Sequence, residues 1–331
     1  MNKKKKRNKY ACISGGGADG GFTCGYIAET KPSYQGGAGV STGALLILLT
    51  LIRKYGSLTD AYINATDDDI IEDSLFNDNG GVKLFTALQR FYKAYKDKDP
   101  SVTHSTALRK YIDEFIEEED FEKGLKYPIA LGVHSYSYKE NLYVVNKGVT
   151  FEDFKDWMWI SANVPGFMST VTKARPGSDE LEQWTDGGVQ ENVPLKWCLL
   201  NGADEVDVYM HSPKPSYFNS WIRRIFNKSG IQNTAYTLHE NFGERKKSKN
   251  LTNPHETLLR VGQGVIKDSW QESLLSGLLL AALTKKRVRI IWMPQEFYDN
   301  AFKFGKDKMK HLYEEGKRSA RKGDTIDIFD F

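Results

Sequence analysis

A chain of 331 residues, 40% hydrophobic and 27% charged, has the material for a sizeable soluble core, and its length alone would allow two domains. The net charge of +3 comes from one end, where Lys3, Lys4, Lys5, Lys6, Arg7 and Lys9 cluster; the remainder is slightly acidic, which argues against a dedicated nucleic-acid reader. Cys12, Cys24 and Cys198 are odd in number and lack metal-ligand spacing, so they read as reduced core thiols of a cytoplasmic protein.

Residues 1–9 are expected to form a disordered, solvated basic arm. Attraction to an anionic membrane surface, at about 1 kcal/mol per lysine, is the sharper alternative. No apolar segment of a signal peptide follows the arm. The longest apolar runs, 44–52 and 274–283, fall short of the roughly 20 residues that span a bilayer. Residues 10–295 are expected to form the main domain, and 296–331 a C-terminal helix and tail.

Tyr10 to Ser14 reads as a short buried strand running into Gly15-Gly16-Gly17-Ala18-Asp19-Gly20-Gly21. Such a glycine-rich turn leaves backbone N–H groups free for an anion. Gly15-x-Gly17-x-x-Gly20 also fits a dinucleotide fingerprint, but that reading wants an acidic residue about 20 positions on, and 35–40 has none. A Walker loop is excluded, because no Gly-Lys-Ser/Thr follows. Phe22 to Glu29 can form a helix stopped at Lys31-Pro32, with its dipole favouring the same anion. Ser33 to Ala38 must then be a strand, although Gly36-Gly37 is poor strand material.

Gly39-Val40-Ser41-Thr42-Gly43 follows, with the apolar run Ala44 to Ile52 behind it. This G-x-S-x-G box suits a strand–turn–helix elbow that exposes a serine Oγ on a strained corner. Gly39 and Gly43 flank the corner, where a Cβ would clash. The helix, apolar nearly all round, is expected to lie buried between sheet and covering layer. Ser41 could equally cap that helix.

Residues 62–79 are polar and acidic, and Asp67-Asp68-Asp69 reads as solvated surface because it lacks Ca²⁺-loop spacing. Residues 82–95 and 105–119 read as amphipathic helices; in the second, Leu108, Tyr111, Ile112 and Phe115 fall at helical spacing. Strands are expected at 127–134 and 141–145, and a helix over 151–162. Trp184-Thr185-Asp186-Gly187-Gly188 puts a carboxylate before a tight turn, which Asp186 could simply cap. Asp204 to His211 is a strand with Val206, Val208 and Met210 on one face and Asp207 on the other. Residues 213–250 are irregular, and the stripe from Phe218 to Phe226 with its flanking arginines fits either core or a lipid surface. Residues 255–283 read as helix, in two pieces broken near Gly262 or Gly264. A strand at 288–293, a charged helix over 297–320 and a tail that docks or frays complete the chain. Alternating strands and helices give an α/β class: a three-layer sandwich, its mostly parallel central sheet covered by helices on both faces.

A glycine loop, then G-x-S-x-G, then D-G-G, in this order, resembles the patatin-like phospholipases. Trp159 to Phe167, with small residues before Pro165, and Gly188 to Leu195 resemble further segments of that family. The resemblance covers residues 10–212. It implies a Ser41–Asp186 dyad that cleaves lipid esters through an acyl-serine. The oxyanion is held by N–H groups of Gly15, Gly16, Gly17 and Thr42, and Gly39, Gly43, Gly187 and Gly188 are motif glycines. No metal or organic cofactor is required. The family commonly has a basic residue where this chain has Asp19; Asp19 turns to solvent, or the preferred substrate is not an anionic phospholipid, or the enzyme is slow or altered. Two alternatives stand beside this one. A catalytically impaired member would act as a lipid- or protein-binding module. A Ser-His-Asp esterase would draw on His211, His239, His255 or His311, all of which follow Asp186.

Overall fold

The computed structural model describes residues 7–71, 89, 105–165, 168, 170–218, 254–298, 301, 303–323 and 326–330. Among them, nine strands build one sheet: β1 (Lys9–Ile13), β2 (Gly36–Val40), β3 (Ile129–Ser135), β4 (Glu140–Val145), β5 (Val171–Ala174), β6 (Leu181–Asp186), β7 (Glu205–Met210), β8 (Arg287–Trp292) and β9 (Ile326–Asp330). Their order is β5-β6-β3-β2-β1-β7-β8-β9, with β4 also on β3. The five strands from β3 to β8 in that order run parallel; β4, β5, β6 and β9 are antiparallel to their neighbours.

Side-chain alternation along the strands divides the core into two layers. On one face Ala11, Ile13, Tyr209 and Ile291 pack under α1 (Gly20–Thr30), α2 (Thr42–Leu51) and α3 (Tyr55–Ile63). On the other, Cys12, Val206, Val208 and Ile290 pack on helices at 195–200 and 254–283. The class is therefore the expected three-layer α/β sandwich. β2 forms despite its glycines because it is buried between β1 and β3, and a Cβ at Gly37 would lie 2.5 Å from the Ala11 carbonyl. Asp207 lies on the face opposite Val206 and Val208, but it is buried there: Lys9, Arg289 and Tyr34 all bond its carboxylate.

The remaining helices are α4 (Asp67–Ile70), α5 (Thr106–Phe115), α6 (Glu118–Gly124), α7 (Phe151–Ser161), α8 (Leu195–Leu200), α9 (Pro254–Leu283) and α10 (Lys306–Lys322). α9 runs unbroken through Gly262 and Gly264, correcting the expected split; two glycines cost a 30-residue helix only about 1 kcal/mol each. The acidic stretch is not all solvated surface. Asp69 makes a capping box with Thr66, and Asp67 accepts the Phe304 N–H. The expected helix over 82–95 lies outside the described residues, as do the stripe beyond Phe218 and the arm before Arg7. Phe218 itself is core, stacked edge-on against Trp292. The tail docks as β9, where Asp327 bonds the Trp292 indole and Lys214. No described helix is long and apolar enough to cross a membrane.

Candidate active site

The site is organised by β3. β4 occupies one edge of β3 over residues 130–135, so β2 and β6 must share the other edge. β2 runs up that edge and ends with Val40 opposite Gly132. β6 comes down it in the opposite sense and ends with Asp186 opposite Val133. The two chain ends therefore meet head to head at adjacent positions of one strand, which brings Ser41 and Asp186 together across 145 residues of sequence.

Ser41 stands on the corner with φ 55° and ψ −128°, a conformation that costs a non-glycine residue about 1–3 kcal/mol. Its side chain makes no capping bond to α2, so the helix-cap reading is not realised. The turn is tight: a Cβ at Gly39 would lie 2.1 Å from the Gly43 carbonyl oxygen, and one at Gly43 would lie 2.2 Å from that of Ile13. Ser161, at the end of α7, holds the corner in place. Its hydroxyl accepts the Ser41 N–H at 3.1 Å and donates to the Gly132 carbonyl at 2.6 Å. Two residues on, the Asn163 carbonyl accepts the Asp186 N–H at 3.0 Å and the Thr185 hydroxyl at 2.7 Å.

Asp186 combines two roles. Its Oδ1 accepts the Gly188 N–H at 2.7 Å and caps the turn through Gly187, which packs against the Gly132 carbonyl. Its Oδ2 is buried with no well-formed hydrogen bond. Burial pushes the carboxyl up to about 7, while the Ser41 hydroxyl and then the Gly188 N–H act to lower it. A serine near the carboxylate but not aligned on it fits the loose geometry of sites without substrate.

In the glycine loop, Gly17 has φ 56°, a left-handed turn that favours glycine. The Gly15 N–H is already committed. It donates to Asn192 Oδ1 at 2.9 Å and lies 3.3 Å from the Asn192 carbonyl oxygen, which removes it from the expected set of oxyanion donors. Among the described residues, no acceptor outside their own helices meets the N–H groups of Gly16, Gly17 and Thr42. Thr42 is fixed by Tyr62, whose hydroxyl lies 2.6 Å from Thr42 Oγ1 and donates to the Thr42 carbonyl at 3.2 Å.

Asp19 does not turn to solvent. It is fully buried, close enough to Tyr298 to raise that phenol after burial has done so. His211 lies beneath the loop, where a Cβ on Gly16 would meet its side chain at 2.2 Å. Its Nδ1 sits 2.8 Å from the Ser14 carbonyl oxygen, and burial lowers the imidazole to about 4. No described histidine is bonded to Ser41 or Asp186. His239 and the side chain of His255 lie outside the described residues.

Beside Ser41 opens a cavity with about 830 Å³ of empty space, counting its mouth. Thr42, Leu45 and Leu49 line it along α2, Leu108, Tyr111, Ile112 and Phe115 along α5, with Met158 of α7 and, after that helix, Val164 and Met168. No charged side chain among the described residues lines it. Sequence reasoning missed this cavity, because an apolar stripe facing a cavity has the same period as one facing core. It also missed the roles of Ser161, Asn163 and Asn192, although all three lie in the family-like segments.

The sequence model of the patatin-like phospholipases matches residues 11–198. No curated protein matches the chain. Among solved structures, VipD from Legionella pneumophila is similar with a TM-score of 0.41 and 11% identity, over 98% of this chain and 68% of that one. With its glycine loop, serine elbow and aspartate turn inside a family match that spans more than half its length, the chain belongs to the patatin-like phospholipase family.

Proposed function

We propose that the protein is a lipid acyl hydrolase that works through a Ser41–Asp186 dyad. The observation that carries this reading is the meeting of Ser41 and a buried Asp186 on one edge of β3, beside a cavity that Ser41 lines and that no charged side chain among the described residues lines. In the first half-reaction Ser41 Oγ attacks the ester carbonyl carbon, and its proton passes to Asp186 Oδ2. The oxyanion takes hydrogen bonds from the N–H groups of Gly16, Gly17 and Thr42. The ester C–O bond then breaks, and Asp186 returns the proton to the departing alcohol. Water adds to the acyl-serine with its proton going to Asp186, and the fatty acid leaves as that proton returns to Ser41.

An aspartate near 4 is a poor base for an alcohol; one pushed up to about 7 by burial is far better matched to neutral pH. The cavity suits an aliphatic acyl chain, since no charged side chain among the described residues lines it. Histidine-assisted chemistry has less support, since His211 is committed to Ser14 and held neutral.

Hydrolysis of a p-nitrophenyl acyl ester series by wild type, Ser41→Ala and Asp186→Ala tests the reading. Losses of about 10³-fold or more are expected in both folded variants. Activity that survives Asp186→Ala would reopen the search for a histidine. No turnover in the wild type, with no fluorophosphonate labelling of Ser41, would leave a lipid- or protein-binding module as the better reading.

A further inference from the structure

Asn192 is 3% exposed and wedged between the glycine loop and the aspartate turn. The position of a Cβ at Gly15 is 2.3 Å from Asn192 Oδ1 and 2.9 Å from Ser41 Cβ, so amide and nucleophile flank a single Cβ-sized gap. On the other side, a Cβ at Gly188 would lie 3.2 Å from Asn192 Oδ1 and 3.1 Å from Asp186 Oδ1. One carboxamide thus touches, through two glycines, the loop beside the serine and the turn that presents the aspartate. Its Oδ1 takes the Gly15 N–H at 2.9 Å, the shorter limb of a forked bond whose other acceptor is the Asn192 main-chain carbonyl at 3.3 Å, and the next N–H groups along the loop, those of Gly16 and Gly17, meet no acceptor among the described residues.

We propose that Asn192 is the positioning residue of the oxyanion site: by holding the Gly15 N–H it fixes the glycine loop against the aspartate turn, so that the Gly16 and Gly17 N–H groups face Ser41. This rests on the hydrolase reading for its catalytic consequence, but not for the anchoring itself. Asn192 touches no reacting atom in this scheme. Its effect on rate comes from the placement of donors, where a misplacement of about 1 Å can cost 10²-fold.

The test compares the full-length wild type with Asn192→Ala and Asn192→Asp. The second keeps an oxygen where Oδ1 sits. Amide hydrogen exchange at Gly15, read by mass spectrometry of spanning peptides or by NMR, is expected to speed up about tenfold or more in Asn192→Ala and to stay near wild type in Asn192→Asp. In Asn192→Ala, kcat on a p-nitrophenyl ester should fall on the order of 10²-fold with KM little changed. Unchanged Gly15 exchange in Asn192→Ala overturns the anchoring, and so does an equal rise in both variants, which would make the residue a packing element only. A wild type without esterase activity would remove the hydrolase reading, and the exchange result would still decide the anchoring.

Discussion

Asp186 and His211 are both fully buried, and both are held toward their neutral forms. Their effects on stability run in opposite directions. Asp186 titrates at about 7 when folded, against roughly 3.9 when unfolded, so the fold loses stability as pH rises through that window. The cost levels off above pH 7, on the order of 4 kcal/mol. His211 titrates at about 4 when folded, against roughly 6.5 when unfolded, so the fold loses stability as pH falls through that range. Between pH 4 and 6.5 the two slopes largely cancel. Asp186→Asn should therefore be more stable than wild type at pH 8 by several degrees in thermal midpoint, and should lose that advantage steadily on acidification to pH 4. Parallel midpoint curves for the two proteins would contradict this account. The same ionisation should govern turnover, with kcat/KM rising through a half-maximum near pH 7.

At the scale of elements, α2 and α5 show how far a sequence pattern can be read. The run after the elbow was legible as a buried helix, and Leu108, Tyr111, Ile112 and Phe115 as one face of another. Periodicity says that such faces avoid water, not whether they meet side chains or a cavity. All four of those α5 residues line the cavity, as do Leu45 and Leu49. Leu49 lies two turns along α2 from Ser41, about 12 Å at the helical rise. Leu49→Trp should fill that far end. Its kcat/KM should fall tenfold or more for long-chain esters while a butyrate ester is spared. A uniform loss along the chain-length series would show that Leu49 does not border the acyl path. The β5–β6 hairpin was not legible at all. No strand is expected from the sequence between 163 and 203, and Trp184 to Gly188 reads only as a carboxylate before a tight turn. The strand exists because β3 offers its edge beyond the end of β2.

For the molecule as a whole, the order of motifs announced the sandwich and its two catalytic candidates. What sequence did not supply was their meeting point, which depends on register between strands far apart in the chain. It also left the last 36 residues apart as a helix and tail. They are integral to the packing: α10 lies so close to α1 that a Cβ at Gly316 would sit 2.0 Å from the Phe22 carbonyl oxygen, and β9 closes the sheet on β8. Truncation after Lys322 removes that edge strand with its Trp292 and Lys214 contacts. We expect a lower thermal midpoint and, by light scattering, association through the uncovered β8 edge. A truncated chain that stays monomeric with a wild-type midpoint would show the strand to be dispensable.

The pairing of β1 has a consequence for how the protein is made. β1 sits in the middle of the sheet, between β2, which follows it closely, and β7, which is translated much later. At ribosomal speeds of about 5–20 residues per second, an apolar strand waits many seconds with one edge open. The nascent N-terminal half is thus a sticky, half-built sheet while the serine elbow is already in hand, and Asp186 emerges only shortly before β7. Yield in a cell should therefore depend on chaperones that shield strand edges more than on the stability of the finished fold.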